Sequence, residues 1–155
     1  MNALRYAFGE TGDDETRRLL VLQAAAFLPL FREAMHGRGK VGDARIDTLE
    51  PAGGGDVDEV FATLSRDRAA AARMALGLVR ADPANARRLV DAGRLLVFLK
   101  GTDTHDYKFS AAVMEDYAAV SPAWRDRFLA AGLYWLKGSG GPDAPVVART
   151  RAALA

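Results

Sequence analysis

The side chains best suited to chemistry in this sequence are concentrated in one short segment, Gly-Thr-Asp-Thr-His-Asp-Tyr-Lys-Phe at residues 101–109. One of the two histidines of the chain lies here, between two aspartates. Imidazole and carboxylate groups can exchange protons or bind metal ions, and a neighbouring tyrosine and lysine can hydrogen-bond to a polar or anionic ligand. We therefore take five residues as candidates for ligand binding: Asp103, His105, Asp106, Tyr107 and Lys108.

The same segment has the composition of a helix start. Asp103 or Thr104 can accept hydrogen bonds from the first free backbone amides of a helix that contains Phe109, and Asp106 would lie in its first turn, near the positive end of the helix dipole. His105 would then be partly buried on the face that it shares with Phe109. The sequence favours this capping interpretation, although capping leaves the histidine, the tyrosine and the lysine unexplained.

Two functional alternatives stay open for the segment. In the first, Asp103, His105 and Asp106 bind a metal ion together with His36 from another helix, as facing helices of a bundle can do. No His-Glu-x-x-His motif supports this alternative, and we expect no cofactor. In the second, His105 acts as an acid or base while a neighbouring aspartate fixes its tautomer. Since no motif positions a nucleophile, catalytic residues stay unassigned.

The aromatic residues Trp124, Phe128 and Trp135 recur at helical spacing. Core packing is the ordinary explanation of such a stripe, and the sequence favours it. The alternative is an exposed protein interface, because tryptophan and arginine are enriched at interface centres. Under that alternative the candidate interface residues are Trp124, Arg125 and Trp135.

Composition limits the functions that this chain can have. Its 155 residues contain no cysteine, which excludes disulfides, thiolate catalysis and cysteine-based zinc sites. Twenty-one basic and 20 acidic residues give a net charge of +1, so general attraction to nucleic acid is not expected. The alanine- and arginine-rich composition is associated with bacterial proteins.

No membrane segment is expected from the sequence. The longest apolar stretch, residues 19–31, contains Gln23 and Pro29 and is shorter than the ~20 residues that span a bilayer. The amino terminus lacks the apolar run of a secretory signal. These patterns predict a cytoplasmic protein.

Alanine-rich composition and apolar periodicity predict an all-α fold, an irregular bundle of about six or seven helices in a single domain, 1–155. A Gly-rich loop at 37–55 is expected to be flexible. The predicted helices cover residues 15–36, 56–80, 84–100, a segment from about 104 to 120, 122–137 and 146–155. In the first of them, large apolar residues at positions 19, 20, 22, 27, 30 and 31 predict a broad buried face.

Two of these helices resemble each other. Asp-Pro-Ala at 82–84 and Leu-Val-Phe-Leu-Lys-Gly-Thr at 96–102 are echoed by Ser-Pro-Ala at 121–123 and Leu-Tyr-Trp-Leu-Lys-Gly-Ser at 133–139. Gly93 and Gly132 occupy similar places and would allow close helix approach. Two copies are fewer than a solenoid normally needs, so the pattern favours an irregular bundle over repeat-like packing.

The function that these observations favour is a non-catalytic helical interaction or ligand-binding module of the cytoplasm, with a protein partner or self-association. The alternative is a small metalloprotein or acid/base enzyme with its site around Asp103, His105 and Asp106.

Overall fold

The computed structural model describes residues 2–37 and 45–155 and confirms the predicted all-α fold. No β-strand occurs in these residues. Helices α3 to α7 and the turn after α7 pack together, as expected of a bundle. The helices of the described residues are α1 (Asn2–Glu10), α2 (Asp14–His36), α3 (Val57–Leu64), α4 (Arg68–Ala81), α5 (Ala84–Lys100), α6 (Thr104–Ala119), α7 (Pro122–Gly132) with a 3₁₀ turn at Leu133–Trp135, and α8 (Pro145–Leu154).

The contacts between Cα atoms divide the chain into two compact units, Met1–Arg45 and Ile46–Ala155. The smaller unit contains α1 and α2, and the larger unit contains α3 to α8. Because a compact unit need not fold independently, the single domain of 1–155 stays a prediction.

The core of the larger unit is centred on α4. This helix packs against α3, α5, α7 and the 3₁₀ turn. Its inward face carries Ala71, Ala75 and Leu76, which are fully buried, and the largest buried side chain beside them is Phe61 of α3. Small alanine side chains allow the neighbouring helices to pack closely onto α4, since the distance between packed helices depends on the side chains at the contact.

Two of the predicted helices are shorter than expected. The helix predicted for 56–80 is divided, because Asp67 starts α4 as a new helix by accepting a hydrogen bond from the backbone amide of Ala70 at 2.9 Å. The helix predicted for 122–137 ends as an α-helix at Gly132 and continues as one 3₁₀ turn. Trp135 therefore lies beyond α7 rather than on it.

The two similar helices approach their neighbours closely at their glycines, as predicted. A Cβ atom on Gly93 would lie 3.0 Å from Leu136, and one on Gly132 would lie 2.6 Å from Val113 of α6. The second of these distances is too short for any real contact, so the observed packing of α6 against α7 requires a glycine at position 132.

The predicted Gly-rich loop is described only in its second part, since residues 38–44 lie outside the described residues. Leu49 packs against the core, and the backbone amide of Ala52 donates to the carbonyl of Arg73 at 2.9 Å. Gly54 and Gly55 have φ angles of 93° and 84°, in the region that favours glycine. This part of the segment is anchored to α4, while the flexibility of 37–55 stays a prediction.

The smaller unit differs most from expectation. Helix α1 was not predicted, and α2 begins at an N-cap in which Asp13 accepts from the amide of Thr16 at 2.7 Å. Pro29 lies inside the continuous helix. The broad buried face predicted for this helix is wrong, because no residue of α2 is buried. By length and composition alone, α2 is a helix that could cross a membrane, a test that buried core helices of soluble proteins and signal sequences near the amino terminus also pass.

Candidate functional site

Asp103 and Asp106 form a capping box at the start of α6, which confirms the capping interpretation for these two residues. The carboxylate of Asp103 accepts hydrogen bonds from the amides of His105 and Asp106 at 2.7 and 3.1 Å. The carboxylate of Asp106 accepts in return from the amides of Thr102 and Asp103 at 2.9 and 3.4 Å. The free donors of the first turn are thereby satisfied by side chains close in sequence.

Asp106 also forms an ion pair that reaches outside its own helix. Its carboxylate lies 3.0 Å from the Nζ atom of Lys137, which follows the 3₁₀ turn. Burial of the Asp106 carboxylate opposes its ionisation, but the hydrogen bond from Thr102 and the pairing with Lys137 outweigh burial and lower the pKa of Asp106. Asp106 is therefore held as a carboxylate, whose charge is paired with Lys137 and whose oxygen atoms accept hydrogen bonds from backbone amides.

His105 is in a different position from the one that the sequence favoured. Its side chain is 92% exposed, so the expectation of partial burial is wrong. The Nδ1 atom lies 3.7 Å from the nearest oxygen of Asp103, which is beyond hydrogen-bond distance. The aspartate thus binds the backbone amides and leaves the imidazole in solvent.

The metal alternative finds no cluster of ligands among the described residues. In residues 2–37 and 45–155, no three histidine, aspartate or glutamate side chains are placed to hold a metal ion. His36 belongs to the smaller unit, at the end of α2. Glu33 and His36 have the Glu-x-x-His spacing, but one such pair is only part of a bundle metal site.

Tyr107 lies on the other side of α6. Its hydroxyl donates to the carbonyl of Gly101 at 3.1 Å, and its ring lies 6.4 Å from the ring of Phe98, between centroids. Together with Arg94 and Met114 it lines a groove between α5 and α6. Tyr107 therefore lies apart from the other ligand candidates. Its hydrogen bond and ring contact connect the end of α5 to α6.

Trp135 is the candidate that the fold brings to the 101–109 segment. Trp135 is 59% exposed, and its ring packs edge-to-face with the ring of Phe109 at a centroid distance of 6.4 Å. The guanidinium of Arg68 lies 5.9 Å from the centre of the same ring, within the range of a cation–π interaction. Arg68 is fixed there because it also donates to the backbone carbonyl of Tyr134 at 2.5 Å.

A solvent-open groove is formed where these side chains meet. We call it the Trp135 groove and define it by its lining residues: His105, Asp106, Lys108, Phe109 and Trp135. Three ligand candidates and one interface candidate thus share a single surface. Arg68 and Lys137, which hold Trp135 and Asp106 in place, were missed from the sequence because their contacts are between segments far apart in the chain.

The remaining interface candidates lie in a different setting. Trp124 is 44% exposed at the start of α7. Arg125 donates to the carbonyl of Val120 at 3.1 Å, and its guanidinium lies 5.9 Å from the ring centre of Tyr117. The favoured core explanation of the aromatic stripe is therefore wrong for both tryptophans, and Arg125 stabilises the junction between α6 and α7.

Comparisons with known proteins give no relative for this chain. No protein-family model matches the sequence, and neither the curated proteins nor the solved structures show a significant similarity to it.

Proposed function

We propose that this protein is a non-catalytic interaction module of the cytoplasm, and that its larger unit binds a segment of a partner protein in the Trp135 groove. The observation that carries this proposal is the exposed side chain of Trp135, whose ring contacts both Phe109 and Arg68. Large exposed aromatic rings are normally costly in water, whereas tryptophan is among the residues most enriched at interface hot spots.

The support given to Trp135 favours recognition because the ring is already ordered. A side chain that is fixed before binding loses less conformational entropy when a partner covers it. The arginine that holds the ring is itself bound to a backbone carbonyl. The groove therefore offers a rigid apolar contact, which is what an apolar anchor of a partner segment requires.

The charges around the ring indicate the chemistry of the partner. Lys108 lines the groove, and the guanidinium of Arg68 lies over the tryptophan ring. The carboxylate of Asp106 is paired with Lys137. The cations at the edge of the groove favour a partner segment in which an apolar or aromatic residue is flanked by aspartate or glutamate.

The state of the titratable groups supports binding rather than acid/base catalysis. Both aspartates accept hydrogen bonds from backbone amides, and the imidazole of His105 is open to water. A general acid or base needs a partner that orients it and a site that encloses the substrate, and His105 has neither a hydrogen bond to an aspartate nor an enclosed setting. The acid/base and metal alternatives stay predictions without a structural argument in their favour.

A peptide library displayed on phage and selected on the full chain tests the proposal. We expect the selected peptides to contain an apolar anchor with flanking acidic residues. Trp135→Ala should weaken their binding about 30-fold, the effect of losing a hot spot of roughly 2 kcal/mol. Trp124→Ala, the matched change at the other exposed tryptophan, should leave the affinity within a few-fold of the wild type.

The two tryptophans also give the binding assay an internal control. In a ¹H–¹⁵N spectrum the peptide should shift the indole resonance of Trp135 and leave that of Trp124 in place. Peptides that bind Trp135→Ala as tightly as the wild type would contradict the proposal, as would a selection that enriches no sequence. Circular dichroism of each variant shows whether the fold is kept.

A further inference from the structure

The two similar segments of the larger unit each carry an exposed aromatic side chain. When Leu-Val-Phe-Leu-Lys-Gly-Thr at 96–102 is aligned with Leu-Tyr-Trp-Leu-Lys-Gly-Ser at 133–139, Phe98 corresponds to Trp135. Phe98 is 69% exposed and Trp135 is 59% exposed. The first segment therefore repeats the feature on which the proposed function depends, a large aromatic side chain that is open to solvent.

Each of these two rings packs against an aromatic residue of α6. The ring centroids of Phe98 and Tyr107 are 6.4 Å apart, and those of Trp135 and Phe109 are also 6.4 Å apart. Tyr107 and Phe109 are two residues apart in α6, which places their side chains about 160° apart around the helix axis. The two aromatic pairs therefore lie on opposite sides of α6.

The lysines of the two segments form reciprocal ion pairs. Lys137 of the second segment pairs at 3.0 Å with Asp106, which follows the first segment. Lys100 of the first segment pairs at 3.2 Å with Asp143, which follows the second segment. Lys100 also donates a hydrogen bond to the backbone carbonyl of Gly141. The resemblance between the two segments is thus a resemblance in their contacts as well as in their sequence.

The groove between α5 and α6 lies beside the pair of Phe98 and Tyr107, and we call it the Phe98 groove. Its apolar walls include Phe98, Tyr107, Ala111 and Met114. Its volume is about 410 Å³, within the roughly 300–1,000 Å³ of typical binding pockets. The hydroxyls of Tyr107 and Ser110 donate to backbone carbonyls at 3.1 and 2.9 Å, so their donors are satisfied. The Phe98 groove therefore offers a mainly apolar surface to an anchor residue.

One exposed face of α6 connects the two grooves. Lys108 lines the Trp135 groove and Ala111 lines the Phe98 groove, and both residues are exposed. Residues three apart in a helix are neighbours on its surface, so the two grooves are adjacent there. The path between them is positively charged, because it leads from Arg68 past Lys108 to Arg94 in the Phe98 groove. Glu115 also lines the Phe98 groove, but it lies roughly 10 Å further along α6 than Lys108.

We propose that the Phe98 groove is a second site for the same partner segment, which places one apolar residue in each groove and crosses α6 between them. This inference rests on the proposed function and adds the class of partner: two apolar anchors joined by an acidic linker, which complements the cations along the path. A helix is roughly 10–12 Å wide, so an extended linker at about 3.3 Å per residue crosses it with three or four residues. Joining the anchors makes the second contact intramolecular, which strengthens binding without further contacts.

Random peptides displayed on phage and selected on the full chain test this inference. The selected peptides should contain two apolar residues separated by about three to five residues, with aspartate or glutamate between them. Phe98→Ala should weaken their binding about 30-fold, as expected for a hot spot of roughly 2 kcal/mol. Leu95→Ala is the matched control, because Leu95 is 59% exposed on the same helix but does not line the groove. It should leave the affinity within a few-fold of the wild type, and circular dichroism shows whether both variants are folded.

Two further measurements assign each anchor to its groove. When one anchor of a selected peptide is replaced by glycine, the remaining affinity should respond to Trp135→Ala or to Phe98→Ala, but not to both. Methyl spectra of ¹³C-methionine-labelled wild-type protein need no variant of the groove. The two-anchor peptide should shift the methyl resonance of Met114, which lines the Phe98 groove, and should leave that of Met74, which packs against the core, in place.

The two proposals can fail separately. A peptide that shifts the Trp135 indole but not the Met114 methyl would overturn the second site and leave the Trp135 groove as the only site of the proposal. Equal affinities of Phe98→Ala and Leu95→Ala for the selected peptides would have the same consequence. Peptides that bind Trp135→Ala as tightly as the wild type would overturn the proposed function and the shared partner with it. Shifts of Met114 caused by decanoate, but by no selected peptide, would overturn the second peptide site in favour of a small apolar carboxylate.

Discussion

Replacing Asp106 with alanine is expected to destabilise the larger unit by about 1–2 kcal/mol. Loss of a capping carboxylate typically costs about 1 kcal/mol. Loss of the pair with Lys137 adds only a fraction of a kcal/mol, because the lysine side chain is 33% exposed while the aspartate is 12% exposed, and solvent screens such a pair. The exposed Thr102 amide can bind water in the variant, which keeps the total near the lower figure.

The pH dependence of this loss follows from the lowered pKa of Asp106 in the folded protein. A group whose pKa is lower in the folded state stabilises the fold fully above its unfolded-state pKa, and this contribution disappears as the pH falls through its folded-state pKa. The difference in stability between wild type and Asp106→Ala should therefore be largest at neutral pH. It should shrink as the pH falls below the ordinary aspartate range.

Urea unfolding followed by tryptophan fluorescence measures this difference, since both tryptophans lie in the larger unit. At neutral pH the midpoint of Asp106→Ala should fall by roughly 0.5–1 M. Asp58→Ala is the matched control, because Asp58 is an exposed first-turn aspartate of α3 and its loss should cost a few tenths of a kcal/mol. An Asp106→Ala midpoint no lower than that of Asp58→Ala, or a difference that stays constant into acid, would refute the reasoning.

Two glycine substitutions should also lower the urea midpoint. In Gly132→Ala the new Cβ would lie 2.6 Å from Val113, so we expect the free energy of unfolding to fall by about 1–2 kcal/mol. Val113→Ala in the same chain should partly relieve this loss. Strictly additive losses in the double variant would argue against the contact. In Gly55→Ala the Cβ would meet Met74 at 2.9 Å on a backbone with φ of 84°, so the cost should be at least 1 kcal/mol, whereas Gly53→Ala has open space and should be near neutral. Equal midpoints for these two variants would contradict the structure of the segment before α3.

The capping box could be predicted from the sequence because its chemistry is local. Asp103 and Asp106 act on amides within four residues of themselves, so the pattern of residue types is enough to identify the helix start. The Trp135 groove could not be predicted in the same way. Arg68 and Trp135 are far apart in the chain, and their contact exists only because α4 packs against the 3₁₀ turn.

Helix α2 illustrates a second limit of sequence patterns. Apolar periodicity predicted that a helix would form and that it would be covered, but periodicity does not identify what covers it. The interior of the same chain was the obvious choice for a single domain. In the structure no residue of α2 is buried, so the pattern identified the helix but not the surroundings of its apolar side chains.

The capping chemistry and the aromatic surface of the larger unit are linked by one ion pair. The carboxylate of Asp106 accepts hydrogen bonds from backbone amides at the start of α6 and also forms an ion pair with Lys137. Lys137 follows the turn that contains Trp135. Because the carboxylate is fully engaged in this structural task, the groove beside it presents rings and cations but little free negative charge. This division of roles fits the binding function that we propose for the segment. If it is correct, Lys137→Met should weaken peptide binding through the position of Trp135, even though the lysine does not line the groove.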